Sequence, residues 1–220
     1  MSGVVWSRAE ERLNAATHGF GALLSAVGLV FLVQQGQSVG RTGSLPAIAV
    51  YGLALIMLFL SSSMYHAVLR PKFKQVLLAL DHCGIFFLIA GTYTPFCLLL
   101  PAGQANKLLA LVWGLAAMGI SIQLAAFLSR RSDDYERVAY VFYLLLGWVP
   151  VLWAGDDIYR RLAPAGLVLV FAGGCAFSIG VVFYLLKRMR YGHAVWHLFV
   201  VAGCAFHFFA IFHYVIPTKL

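Results

Sequence analysis

Two histidines near the end of the sequence have the spacing of a metal-binding pair. His193 and His197 lie four residues apart where the last apolar segment begins. On a helix, residues at this spacing share one face and lie about 6 Å apart along the axis. Imidazole nitrogens bind zinc at about 2.0–2.1 Å, so both rings could hold one ion if another part of the chain supplied a further ligand. Ordinary packing of the two rings is the alternative, and it stays open at this point.

The composition indicates that these histidines belong to a membrane protein. Hydrophobic residues make up 62% of the 220 residues and charged residues only 11%, and the mean hydropathy is +0.86. The formal net charge is +8. Because the basic residues lie in short clusters between apolar segments rather than along one polar face, membrane topology explains them better than nucleic-acid binding. An ionisable residue inside a membrane-spanning segment is costly, which favours a functional role for it.

Seven apolar segments predict the fold class, an all-α integral membrane protein with a seven-helix transmembrane bundle. Each segment approaches the roughly 20 residues that a helix needs to cross a bilayer, and only helices satisfy the backbone there. The far end of the fifth segment is the least defined, because Asp156 and Asp157 follow it. We expect one domain over residues 1–220. The predicted segments are 16–36, 46–69, 76–100, 107–128, 138–154, 164–186 and 193–215.

The basic residues predict the orientation of the bundle. If the N-terminus is cytoplasmic, eleven of the sixteen Lys and Arg residues fall on the inside and five on the outside. The positive-inside rule then places the N-terminus in the cytoplasm and the C-terminus outside. In this arrangement the second segment ends where the third and seventh begin. His66, Asp81 and the histidine pair are therefore expected in one layer near the cytoplasmic face.

Three histidines with an open fourth position are the arrangement of a catalytic zinc site, whereas a structural site is closed by a fourth protein ligand. The predicted ligands are His66, His193 and His197. Asp81 is then the candidate general base, which takes a proton from water and passes it to a leaving group. The alternative for Asp81 is a carboxylate at a helix start, where the helix dipole favours it.

Two further polar residues lie at the expected depth. Ser62 precedes His66 by four residues, so it is a candidate to bond a substrate carbonyl or a water. It could equally bond its own helix backbone, as serines in membrane helices often do. His18 begins the first segment, where a pocket-lining or supporting role and plain packing are equally favoured. His207 and His213 lie about 15 Å and 24 Å from His197 along the helix, too far to share its ion.

With these residues identified, the chain resembles the hemolysin III family, the bacterial branch of the progestin and adiponectin receptor proteins. The motifs that carry the resemblance are Asn14-x-x-Thr17-His18-Gly19, Ser62-Ser63-Met64-Tyr65-His66, Leu80-Asp81-His82-Cys83-Gly84-Ile85, Ala90-Gly91-Thr92-Tyr93-Thr94-Pro95 and His193-Ala194-Val195-Trp196-His197. The resemblance implies a bundle with a cytoplasmic N-terminus in the bacterial inner membrane. It also implies zinc held by His66, His193 and His197, with Asp81 contacting the metal through water and Ser62 beside it. The receptors' long N-terminal region is absent here, so ligand-driven signalling is not implied.

The motif set is also similar to that of alkaline ceramidases, which implies hydrolysis of a lipid amide. The leading expectation is a zinc-dependent membrane hydrolase that acts on an amide or acyl bond of a membrane lipid. The alternatives are a non-enzymatic lipid sensor with a structural zinc, a cytolytic protein as the family name implies, and an ion or proton transporter. The clustering of polar residues at one face argues against transport, because no polar chain crosses the predicted bundle.

Overall fold

All regular structure in the described part of the chain is helical. The computed structural model describes the backbone of residues 6–129, 132–186 and 188–218, and their side chains except 132–138, 140, 150, 154 and 155. Short 3-10 turns precede α2 and follow α3, and a π-helical turn, Ile211–Val215, follows α7. The helices are α1 Arg8–Ser38, α2 Leu45–Ala67, α3 Pro71–Phe96, α4 Ala102–Ser129, α5 Ser132–Arg161, α6 Pro164–Leu185 and α7 Gly192–Ala210.

Each predicted apolar segment lies within one of these helices and its adjoining turn, except that 46–69 runs two residues past α2, and 76–100 and 164–186 each run one residue past the helical part. The predicted end of the fifth segment at residue 154 agrees with the apolar part of α5, Val141–Trp153, but the helix itself continues to Arg161. Arg160 and Arg161 lie in its last turn, where positive charge is favoured by the helix dipole. Hydropathy marks the apolar part of a helix and not its capped ends.

The outer surface of the bundle is apolar, as lipid contact requires. Six helices are long and apolar enough to cross a membrane, namely α1, α2, α3, α4, α6 and α7. The apolar part of α5, Val141–Trp153, is shorter. Phe20, Leu23 and Phe31 on α1 are each more than half exposed. The chain is therefore a helical integral membrane protein, and the crossing of α5 and the orientation stay predictions.

The helices pack in chain order, and α7 packs on α1 as well as on α6, which closes the bundle. Tyrosine hydroxyls join α5 to α3. The Tyr93 hydroxyl donates to the Gly147 carbonyl, and the Tyr143 hydroxyl donates to the His82 carbonyl at 3.1 Å. Because buried hydroxyl groups need hydrogen-bond partners, these bonds position α5 relative to α3 across the interior.

The start of α1 explains how α1 and α7 are aligned. Ser7 and Glu10 form a capping box: the Ser7 hydroxyl accepts from the Glu10 amide and the Glu10 carboxylate accepts from the Ser7 amide. Such a box satisfies two amide groups that the first turn leaves free. The same carboxylate accepts from the amide of Tyr191 at 3.1 Å, immediately before α7 begins at Gly192. Glu10 therefore joins the beginnings of α1 and α7.

Candidate metal centre

Three histidines from two helices converge at the end of the bundle where α1 and α7 begin. His66 comes from the last turn of α2, and His193 and His197 from the first two turns of α7. One ring nitrogen of each lies within 4.8 Å of the others. His66 and His197 are buried. The layer expected from helix alternation is therefore present, with the three rings facing one another.

The His66 ring is oriented by a carboxylate from α1. Its Nδ1 lies 2.6 Å from Oε2 of Glu11, and the other Glu11 oxygen accepts from the Lys74 ammonium group at 2.7 Å. Because a carboxylate only accepts, Nδ1 of His66 carries the proton and donates it. Nε2 therefore presents its lone pair to the interior of the cluster. A carboxylate in this position orients a metal-binding histidine and makes it more basic.

The His197 ring is oriented in the same way by the α1 backbone. Its Nδ1 lies 3.1 Å from the Asn14 carbonyl oxygen and 3.1 Å from the Thr17 hydroxyl oxygen. The Thr17 hydroxyl donates its own proton to the Asn14 carbonyl at 2.9 Å, so it can only accept from the ring. Nδ1 of His197 therefore carries the proton, and its Nε2 is free to bind a ligand.

The spacing of the ring nitrogens suits one metal ion. Nε2 of His66 lies 3.2 Å from Nε2 of His193. Two ligand atoms of a tetrahedral zinc with bonds of 2.0–2.1 Å are separated by about 3.3 Å. Neutral imidazoles with their outer nitrogens already hydrogen-bonded are common ligands for zinc and other divalent transition metals. The cluster can therefore hold such an ion through three histidines.

Asp81 lines the same cavity as His193 and His197 and does not lie at a helix start. It follows Pro71, the first residue of α3, by ten residues, whereas the helix dipole acts within the first turn. The dipole explanation therefore does not account for it. Asp81 lines an interior cavity together with Ser62, His193 and His197. The ion that these residues surround would be the compensating charge that a carboxylate in a membrane needs.

Ser62 does not bond its own helix, unlike other serines in the bundle. The Ser61 hydroxyl donates to the Leu58 carbonyl at 3.0 Å. Ser62 is 1% exposed, and its hydroxyl has no hydrogen bond of ordinary geometry but interacts with the Asp81 carboxyl across the cavity wall. The backbone alternative is therefore wrong, and the hydroxyl is available to a group inside the cavity.

The cavity measures about 600 Å³ and lies along the centre of the bundle. This volume is within the range of small-molecule sites. Most of its wall is apolar, and its polar residues come from several helices, among them Asp81, Asp156 and Ser178. Leu152 on α5 and Phe171 on α6 line it and are 82% and 55% exposed. The cavity therefore reaches the outer surface of the bundle between α5 and α6.

The other described histidines are not in the group whose ring nitrogens could hold one ion. His18 lines the cavity and stacks on His197, with ring centroids 3.5 Å apart. His207 also lines the cavity, and its Nε2 lies 3.2 Å from the Val170 carbonyl oxygen. His213 is exposed and stacks on Phe209. A packing role for His207 and His213 agrees with these contacts.

Several residues of the site were not predicted from the sequence: Glu11, Thr17, the Asn14 carbonyl and Trp6, whose ring lies 4.6 Å from that of His193. A signal for part of this set exists in the sequence. Glu11, Asn14 and His18 are spaced at i, i+3 and i+7, so they share one face of α1. A polar stripe on a membrane helix at this spacing indicates a face that contacts other polar groups.

Comparison with known proteins identifies the family of the chain. The family model described as "Haemolysin-III related" matches residues 6–208. Hemolysin-3 of Bacillus cereus and the Hemolysin-3 homolog of Bacillus subtilis are each 38% identical to the chain over 210 residues, which is 95% of this chain and 93% and 96% of theirs. The human monocyte to macrophage differentiation factor is 30% identical over 174 residues, 75% of this chain and 68% of its own length. A match of this extent, with the histidine cluster in place, shows that the chain belongs to the haemolysin-III related family.

Proposed function

We propose that the chain is a zinc-dependent hydrolase that acts on an amide or acyl bond of a membrane lipid. The observation that carries the proposal is the convergence of His66, His193 and His197, two of which, His193 and His197, line a largely apolar cavity that Asp81 also lines. Among the described residues, these three histidines form the only group whose ring nitrogens could hold one ion. Three protein ligands leave a position open to water and substrate.

Asp81, Ser62 and Glu11 each have a separate role in the proposed hydrolysis. When bound, zinc acidifies water and polarises a carbonyl group, which supplies a nucleophile at neutral pH. The Asp81 carboxylate accepts the proton of the attacking water and delivers it to the leaving amine or alcohol. The Ser62 hydroxyl donates a hydrogen bond to the lipid carbonyl oxygen, where negative charge develops. Glu11 keeps the proton of His66 on Nδ1, so that Nε2 remains a ligand.

The shape of the cavity supports a lipid as the substrate. Its apolar wall suits acyl chains, and its opening between α5 and α6 allows entry from the hydrocarbon layer without passage through water. A lipid would place its amide or ester beside Asp81, His193 and His197, and its chain along the apolar part of the wall. We place the cluster near the cytoplasmic face of a bacterial inner membrane, in accordance with the distribution of basic residues.

The test compares wild type with Asp81→Asn in detergent. Wild-type protein is expected to contain one zinc per chain by elemental analysis and to release fatty acid from N-acyl amides, measured by mass spectrometry. Asp81→Asn should keep the zinc and lose about 10²–10⁴-fold in turnover. His213→Ala is the control, because this exposed residue lies away from the cluster. His66→Ala and His197→Ala should lose the zinc.

Two results would contradict the hydrolase. Wild-type protein without zinc after loading would remove the metal site altogether. Zinc without product from any amide or ester lipid would favour a lipid sensor in which the metal only stabilises the bundle.

The name of the Bacillus cereus relative, Hemolysin-3, favours cytolysis as a second candidate function. Haemoglobin release from erythrocytes by the wild-type protein, unchanged in Asp81→Asn, would support cytolysis independently of hydrolysis.

A further inference from the structure

His18 is a buried imidazole that makes no hydrogen bond within the described structure. It is 3% exposed, and neither ring nitrogen has a partner. The ring passes close to the His197 main chain but without hydrogen-bond geometry. A neutral imidazole has one N–H donor and one nitrogen acceptor. Since neither nitrogen of His18 has a partner, the ring can still donate one hydrogen bond and accept another. Buried polar groups are rarely left in this state, because each costs stability.

Packing fixes the orientation of this ring. It stacks on His197 at 3.5 Å with the two planes 11° apart, and its edge meets Phe59 at 5.0 Å. A parallel stack directs the ring face, and not the ring nitrogens, toward His197. His18 accordingly lies outside the group of nitrogens that could hold one ion. The two unpaired nitrogens of His18 therefore belong to a ring that lines the cavity and is held in place by His197 and Phe59.

A second buried polar group lies on the same cavity wall. Ser62 Oγ makes no hydrogen bond of ordinary geometry, and beside its interaction with Asp81 it offers lone pairs to a group in the cavity. The described residues that line the cavity include Asp81 and Asp156 but neither Lys nor Arg. A phosphate or carboxylate would find no side-chain cation there. The pair therefore matches an uncharged group that both donates and accepts, which is the property of a hydroxyl.

We propose that His18 and Ser62 form a subsite for a hydroxyl group of an uncharged lipid in the cavity, with His18 pairing with that hydroxyl and a Ser62 Oγ lone pair accepting from it. The proposal rests on the proposed function only in that a lipid occupies the cavity; it does not require that the lipid be hydrolysed. His18 is a specificity-determining residue in this arrangement. An analogue without the hydroxyl leaves buried polar atoms unpaired, which lowers its affinity.

The experiment compares two probes that differ by one oxygen atom. These are an N-acyl ethanolamide with a dibrominated acyl chain and the N-ethyl amide with the same chain. Bromine quenches tryptophan fluorescence at contact, and Trp148 and Trp196 line the cavity. Binding is measured in detergent in the Asp81→Asn protein, so that neither probe is consumed. The ratio of the two affinities is compared between variants, which cancels differences in partition into the micelles.

The protein with His18 intact should bind the hydroxyl probe about tenfold more tightly than the deoxy probe, which is about 1.4 kcal/mol. In His18→Phe, which keeps an aromatic ring for the stack, the ratio should fall to about one while the zinc content is unchanged. His18→Gln should restore part of the preference, and Ser62→Ala provides an independent variant if His18→Phe does not fold. The control is His207→Phe, because His207 lines the cavity but already has a backbone partner.

Three results would overturn the subsite. The first is an unchanged ratio in both His18→Phe and Ser62→Ala. The second is loss of zinc in folded His18→Phe, which would make His18 a metal ligand. The third is failure of both probes to bind, which would remove lipid from the cavity. The two proposals can fail separately. If the wild type hydrolyses no lipid but the ratio of the two probe affinities still depends on His18, the hydrolase is refuted and the subsite remains.

Discussion

Replacement of Glu11 by glutamine should weaken zinc binding without changing any predicted ligand. Glutamine keeps the size and the acceptor oxygen of the side chain and removes its charge. In the structure, one Glu11 oxygen lies 2.6 Å from Nδ1 of His66 and the other 2.7 Å from Nζ of Lys74. The substitution therefore converts a charge-assisted hydrogen bond to His66 into a neutral one.

The expected loss follows from these contacts. A hydrogen bond to a charged group contributes about 1.5–3 kcal/mol, and a neutral bond about half of that. About 0.75–1.5 kcal/mol is therefore lost, which corresponds to a roughly fourfold to tenfold weaker affinity for zinc. This value falls at or just below the lower end of the 10–100-fold effect typical of residues that support a metal ligand. Lys74 loses its ion pair but keeps its place over the Tyr65 ring, with Nζ 4.7 Å from the ring centroid. Because Lys74 contacts no predicted ligand, this loss acts on the stability of the fold rather than on the affinity for zinc.

The assay is competition for zinc between the purified protein and a fluorescent chelator in detergent. Glu10→Gln is the matched control, because Glu10 contacts Ser7 and the Tyr191 amide but not His66, and glutamine is accepted in a capping box. Its affinity for zinc should equal that of the wild type. Equal affinities in Glu11→Gln and wild type would refute the orienting role of Glu11, even if the three histidines bind the metal.

Two further substitutions test the energetics of the fold. His18→Phe should raise the melting temperature in detergent, because an apolar ring of similar size replaces an imidazole whose two nitrogens are unpaired. The expected gain in the free energy of unfolding is about 1–3 kcal/mol. A lower melting temperature would mean that His18 has partners in the folded protein. Gly91→Ala should lower the free energy of unfolding by about 1–3 kcal/mol, because the added Cβ would lie 2.7 Å from Cβ of Ala54 and α2 and α3 would have to separate. Gly114→Ala, where nothing lies within 4 Å of the added atom, should be neutral or stabilising by up to about 1 kcal/mol. Equal effects of the two alanine substitutions would contradict the close approach of α2 and α3 at Gly91.

The histidine layer was predictable because membrane helices alternate in direction. Once the apolar segments were marked, the end of α2 and the beginning of α7 had to lie at the same depth, which brought His66 to the level of His193. The same argument places Asp81 on α3 near that depth. The spacing of four residues then placed His193 and His197 on one face. These inferences use only helix geometry and the order of segments along the chain.

The partners of these histidines could not be predicted in the same way. Glu11 lies 55 residues before His66, and the polar start of α1 lies outside the apolar segment that hydropathy detects. Its role depends on the capping box that begins α1 at Arg8 and on the contact of Glu10 with Tyr191. The unused hydrogen-bonding capacity of Ser62 and His18 depends on ring and hydroxyl orientations within the packed bundle. Residue type and spacing do not determine these orientations.

The sequence by itself determined the class of the protein, the positions of its helices and the depth of its polar residues, because the bilayer imposes length and backbone constraints that are visible in one dimension. Only the tertiary structure decided which polar groups meet. It separated His18 from the metal cluster by a parallel stack on His197, made Glu11 a partner of His66, and formed a cavity open between α5 and α6. These features depend on the rotation of each helix about its axis, which is set by packing against neighbouring helices and not by local sequence.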